Sequence, residues 1–104
     1  MSWQKEVDEI GKRKTLAEAM GGPEKLKKQK ADGKLNARER IAGLVDKGSF
    51  REIGQLGGAA TYDAKGELKS FLPSNMLFGR AKIEGRPVVV QSDDFTVRGG
   101  AADA

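Results

Sequence analysis

Met76-Leu77-Phe78-Gly79-Arg80-Ala81-Lys82-Ile83-Glu84-Gly85-Arg86-Pro87-Val88-Val89-Val90 decides the fold. Up to Ile83 the character alternates: Leu77, Gly79, Ala81 and Ile83 share one side, and Phe78, Arg80, Lys82 and Glu84 share the other, which is the period of a half-buried strand. Gly85 supplies a turn. Val88, Val89 and Val90 then start a second strand that is expected to run towards Phe95 and Val97, so residues 76–97 read as a β-hairpin. Beyond it, Gly99-Gly100 punctuates the strand, and the alanine-rich residues 101–104 have the character of a helix just beginning. A strand, turn and helix unit is expected to be cut at this point.

The signals upstream of the hairpin are helical. Trp3, Val7 and Ile10 recur at helical spacing, with Leu16, Ala17 and Met20 continuing the apolar character, so residues 2–20 read as a surface helix. Trp3 and Val7 are expected to act as a packing anchor. Gly21-Gly22 ends that helix, Pro23 suits the first turn of a second, and Gly33 suits its stop. Asn36 followed by Glu39 has capping-box spacing, and Ile41, Leu44 and Val45 form one apolar face, which predicts a third helix over residues 37–46. Residues 50–53 read as a short strand, and residues 54–75, with their glycines and Pro73, as a loop or a ragged pair of short strands. The fold class is therefore α/β with an α+β start, helices first and paired strands after. Residues 1–47 form its helical, basic part and residues 48–104 its strands and loops.

Composition narrows the chemistry. The chain has 104 residues, enough for one modest domain, and its 38% hydrophobic and 33% charged residues leave little apolar side chain for a closed core. Cysteine and histidine are both absent, which excludes disulfides, thiolate or imidazole metal sites and nucleophile–imidazole pairs within these residues. No apolar run suits a signal peptide or a membrane span, so a soluble, cytoplasmic protein is expected. The net charge of +4 is concentrated: residues 1–47 hold 12 Lys and Arg against 8 Asp and Glu, and residues 48–104 hold 7 against 7. A basic face of this kind suits nucleic acid, an acidic partner or a phosphorylated cofactor.

Four blocks taken together carry a resemblance: Leu35-Asn36-Ala37-Arg38-Glu39-Arg40-Ile41, Leu44-Val45-Asp46-Lys47-Gly48-Ser49-Phe50-Arg51-Glu52, Gly85-Arg86-Pro87-Val88-Val89-Val90 and Asp94-Phe95-Thr96-Val97-Arg98-Gly99-Gly100. In this order they resemble the start of the carboxyltransferase (beta) subunit of biotin-dependent acyl-CoA carboxylases of the propionyl-CoA and acetyl-CoA type. The resemblance implies a crotonase-like fold of repeated β-β-α units, in which the enolate of an acyl-CoA thioester accepts a carboxyl group from carboxybiotin. It implies acyl-CoA as substrate, no covalently bound cofactor, a biotin carboxylase and biotin carrier subunit as partners, and a homo-oligomer, commonly a hexamer. The family's subunits are several times longer, which makes an inactive amino-terminal fragment the expectation. Whether the chain is itself an enzyme stays open, as do the acyl group and the direction of the reaction.

Individual residues have competing readings. Gly99 and Gly100 suit a lining of the CoA or acyl pocket, because glycines after a strand admit close approach and free amides stabilise developing oxyanion charge. Their other reading is a tight turn without a ligand. Lys34, Arg38 and Arg40 lie near the start of the third helix, where they suit the phosphates of CoA. Arg38 and Arg40 point in different directions, however, and one of them pairing with a carboxylate of a neighbouring subunit is the alternative. Lys25, Lys27, Lys28 and Lys30 read as a solvated face. Asp93 and Asp94, adjacent on a strand, face opposite sides and do not converge as an acid–base or metal pair. The hypotheses from other classes are a small basic nucleic-acid-binding module, weakened by the absence of aromatics among the lysines, and a purely structural interaction segment. Neither a nucleic acid nor a membrane is expected as a partner.

Overall fold

The computed structural model describes residues 2–100. Among them, three helices, α1 (Gln4–Glu18), α2 (Pro23–Ala31) and α3 (Ala37–Leu44), precede five strands, β1 (Arg51–Ile53), β2 (Gly58–Tyr62), β3 (Leu68–Pro73), β4 (Met76–Ile83) and β5 (Arg86–Asp93). The strands form an antiparallel sheet in the order β1-β4-β5 and a separate β2-β3 hairpin.

The β4–β5 hairpin pairs Ile83 with Arg86, leaving Glu84 and Gly85 as the turn, both at positive φ of 51° and 77°. This is the geometry that matches the strand twist in a two-residue hairpin loop. The Asp46 carboxylate closes the turn from outside. It accepts the N–H groups of Glu84 at 2.9 Å and Gly85 at 2.8 Å, while Asp46 N–H donates to the Lys82 carbonyl at 2.7 Å. The alternation read from the sequence is visible in the burial: Leu77, Gly79 and Ala81 are buried and Arg80 and Lys82 are exposed. Gly79 is required by its partner strand, since a Cβ there would lie 2.3 Å from the Arg51 carbonyl oxygen.

On that buried face, Met20 from the end of α1 and Ala37 and Ile41 of α3 pack with Leu77, Ala81 and Val90, flanked by Leu26, Val45, Phe50 and Val88. α3 starts with a complete capping box: Glu39 N–H donates to Asn36 Oδ1 at 2.8 Å, and Asn36 N–H donates to Glu39 Oε1 at 3.1 Å. The helix stops at Leu44, short of Asp46, because Val45 turns to an extended conformation and packs on the core while Asp46 moves to the hairpin turn. Leu44, expected on the apolar face, is exposed.

Two further expectations are corrected. Trp3 is no packing anchor: it is 70% exposed, and Val7 and Ile10 are exposed with it. At 3.6 residues per turn these three lie roughly a quarter-turn from Arg13, which is on the side where α1 meets β3. There Arg13 stacks over the Phe71 ring at 4.6 Å, and Lys12 Nζ donates to the Leu68 carbonyl at 2.6 Å. Second, β5 stops at Asp93 and does not reach Phe95 or Val97, because Asp94 turns inward. Gly99 and Gly100 belong to a 3₁₀ turn, Arg98–Gly100, in which both glycines have positive φ, in keeping with a tight turn at this point. The helix expected over residues 101–104 lies outside the described residues.

Candidate functional site

The bend after β5 builds one wall of a cleft. Asp94 N–H donates to the Asn75 carbonyl at 2.6 Å, and its carboxylate, fully buried, accepts Thr96 N–H at 2.9 Å and the Thr96 hydroxyl at 2.6 Å. Thr96 Oγ1 in turn accepts Gly21 N–H at 3.0 Å. A side chain at Gly21 has no room, since a Cβ would sit 2.0 Å from the Thr96 carbonyl oxygen. This chain of buried bonds ties the bend to the entry of α2. Phe95, between the two anchored residues, is held outward and is 66% exposed.

The opposite wall comes from α2 and its exit. α2 ends in a Schellman motif: Gly33, at φ 77°, donates to the Lys30 carbonyl at 3.0 Å, and Lys34 N–H reaches back to the Gln29 carbonyl at 3.1 Å. The reversal brings Lys34 over the bend, with Nζ 6.0 Å from the centroid of Phe95. Between the walls lies an open cleft of about 310 Å³, lined by Lys25, Lys28, Gln29, Asp32, Lys34, Phe95, Thr96 and Gly99. Three lysines face one carboxylate, so the cleft is electropositive.

The five residues singled out in the sequence separate accordingly. Lys34 and Gly99 meet in the cleft, and Gly100 lies beside it, half-buried against Phe95. The Gly100 N–H donates to the Val97 carbonyl at 3.0 Å, so the pair of free amide donors expected of Gly99 and Gly100 is reduced to Gly99. Arg38 is elsewhere. Its guanidinium forks onto Glu52 of β1, with Nη2–Oε1 at 2.9 Å and Nη1–Oε2 at 3.2 Å, side chains only 25% and 12% exposed. The carboxylate that pairs with Arg38 therefore belongs to the same chain, not to a neighbouring subunit. Arg40 is exposed on α3 and does not line the cleft.

The cleft also takes in Lys25 and Lys28, expected on a solvated face, and Phe95. The lysines have a legible signal, three apart and hence on one side of α2, whereas Lys27 and Lys30 turn away. Phe95 has none, because its exposure comes from Asp94 ending the strand. The doublet behaves as expected in one respect: Asp93 is exposed and Asp94 buried, and they do not converge. Among the described residues, no group of three or more acidic side chains is placed to hold a metal ion, and no helix is long and apolar enough to cross a membrane.

Comparison with known proteins points in one direction. A family model for the carboxyl transferase domain matches residues 28–104. The methylmalonyl-CoA carboxyltransferase 12S subunit of Propionibacterium freudenreichii subsp. shermanii is 39% identical over 97 residues, covering 92% of this chain and 18% of that protein. The methylmalonyl-CoA decarboxylase subunit alpha of Veillonella parvula is 34% identical over 98 residues, covering 94% of this chain and 19% of that protein. Among solved structures, transcarboxylase 12S, described as a hexamer with methylmalonyl-coenzyme A and methylmalonic acid bound, superposes with a TM-score of 0.78 at 35% identity over 97% of this chain and 20% of its own. The chain thus spans about a fifth of the length of these relatives and matches their amino-terminal part. Its helices-then-strands order agrees with the opening of that crotonase-like fold, and the chain belongs to the carboxyl transferase domain family.

Proposed function

We propose that this chain forms part of the coenzyme A side of an acyl-CoA carboxyltransferase, with Lys34 and Gly99 lining the CoA site. In the reaction the enolate of the acyl thioester attacks the carboxyl carbon of carboxybiotin, a C–C bond replaces the N–C bond, and biotin leaves to take up a proton. A biotin carrier subunit, charged by a biotin carboxylase, would deliver the carboxyl group. The residues described here are assigned no part in holding biotin. The relatives include carboxyltransferases and a decarboxylase, so the shared element is an acyl-CoA rather than one direction of transfer.

The observation that carries this reading is the meeting of Lys34 and Gly99 across an electropositive cleft, from positions far apart in the sequence. An ammonium group there attracts a phosphate-rich ligand, and a glycine wall lets that ligand approach the backbone closely. Homo-oligomer formation belongs to the same proposal, supported by the hexameric description of transcarboxylase 12S.

Titration calorimetry of the chain with propionyl-CoA and free CoA tests it. Binding is expected, weakened by Lys34→Gln and by rising salt, because exposed ion contacts are screened over about 10 Å at 0.1 M ionic strength. Binding unaffected by Lys34→Gln, or absent at millimolar CoA, would refute it.

A further inference from the structure

We infer that the chain has a built site for one water molecule where α1, α3, β1 and the two hairpins meet, held between the second carboxylate oxygen of Asp94 and Nε of Arg38. The site is separate from the cleft and does not depend on the acyl-CoA reading.

Its walls come from the whole length of the chain. Ala17 of α1, Arg38 of α3, Glu52 of β1, Gly57 before β2, Ser74 after β3 and Asp94 after β5 surround a cavity of about 10 Å³. That is close to the roughly 10–15 Å³ that one water requires. Backbone bonds fix the rim: Gly57 N–H donates to the Gly54 carbonyl at 3.0 Å, and Ser74 N–H donates to the Gly57 carbonyl at 3.1 Å.

Two polar atoms of these walls have no partner within the chain. Arg38 commits Nη1 and Nη2 to Glu52, which leaves its buried Nε–H as a donor without an acceptor. Asp94 commits Oδ1 to both donors of Thr96, which leaves Oδ2 as an acceptor without a donor, in a residue only 1% exposed. The other such atoms among the described residues, Arg13 Nε and Gln29 Oε1, belong to residues that do not line this cavity. A buried polar atom left unpaired forfeits its hydration, and ordered water is the usual partner where the protein supplies none.

The pair also selects the occupant. A cation suits the carboxylate oxygen and is repelled by the guanidinium, and an anion meets the reverse problem. Water is neutral, donates to Oδ2 and accepts from Nε–H. With water in place, Arg38 serves Glu52 directly and Asp94 through the bridge. The bend that carries Phe95 and Thr96 is then tied to α3 and β1, as the Thr96 bond to Gly21 ties it to the end of α1.

The test begins on the unaltered chain, labelled with nitrogen-15. The Arg38 Nε–H proton is expected to show a rotating-frame cross-peak to water of sign opposite to the diagonal, which distinguishes a bound water from proton exchange. Oxygen-17 relaxation dispersion should count one long-lived water fewer in Ala17→Val, which fills the cavity, and in Arg38→Lys, which keeps a cation for Glu52 and lacks Nε. Lys27→Ala should lose none. Thermal melts establish that each variant is folded, and if both cavity variants unfold, the cross-peak in the parent decides alone. Absence of that cross-peak overturns the inference, as does an undiminished count in folded Ala17→Val. A melting midpoint raised by potassium or ammonium chloride above that in tetramethylammonium chloride, at equal ionic strength, would place a cation in the cavity and overturn the choice of water.

Discussion

Arg38→Ala separates a structural arginine from a ligand-binding one. In the folded chain its guanidinium meets the Glu52 carboxylate through a fork with contacts at 2.9 and 3.2 Å, and the Glu52 side chain is only 12% exposed. Deleting the arginine strands that carboxylate between α3 and β1. Breaking a fully buried pair costs about 3–5 kcal/mol; with Arg38 itself 25% exposed, solvent relieves part of this, leaving about 2–3 kcal/mol. That is a large share of a stability of about 5–15 kcal/mol for a domain. With a urea slope of about 1–3 kcal/mol/M, the midpoint should fall by roughly 0.7–3 M. A double-mutant cycle with Glu52→Ala completes the assay: the double variant should cost less than the sum of the two single variants, because the stranded charge is gone. CoA affinity of Arg38→Ala, measured where the variant is folded, should match the parent. An unchanged midpoint together with lost CoA binding would refute the reasoning and return Arg38 to the ligand site.

Other substitutions test the architecture. Asn36→Ala removes the cap of α3 and should cost about 0.5–2 kcal/mol by denaturation, whereas Lys27→Ala, at an exposed position outside the cleft, should stay within about 0.5 kcal/mol of neutral. Gly79→Ala forces a methyl group to 2.3 Å from the Arg51 carbonyl, and the resulting strain between β1 and β4 should cost about 1–3 kcal/mol or more; a neutral midpoint would mean that the two strands sit further apart. Trp3→Gln should leave the melting transition unchanged, since Trp3 is 70% exposed, and a loss of several degrees would restore the packing-anchor reading.

Much of the fold was legible because it follows from local rules. The two-residue alternation through Met76 to Ile83 and the Glu84-Gly85 turn needed only strand geometry and the tolerance of glycine for positive φ. The Asn36 and Glu39 pair needed only the orphan N–H groups of a helix start. The paired strands β2 and β3 were harder, because Gly54, Gly57, Gly58 and Gly66 before and between them, and Pro73 at the end of β3, are turn and loop signals. The amphipathic spacing of Trp3, Val7 and Ile10 was misleading for a physical reason: it shows that a helix has an apolar side, and contains nothing about whether another element reaches that side.

The candidate site divides in the same way. Sequence by itself determined that histidine and cysteine chemistry is absent from these residues, that positive charge gathers in the helical half, and that the four blocks have the pattern of a carboxyltransferase opening. The tertiary structure alone decided which charges share a space. Lys34 and Gly99 are 65 positions apart in the numbering, and they meet because a Schellman turn reverses the chain after α2 while buried Asp94 bends it after β5. Arg38, adjacent to the same helix start, was removed from the site by a carboxylate on β1. Side chains on neighbouring elements are assigned partners by the packing between those elements, and that packing is a property of contacts distant along the chain, which no local pattern records.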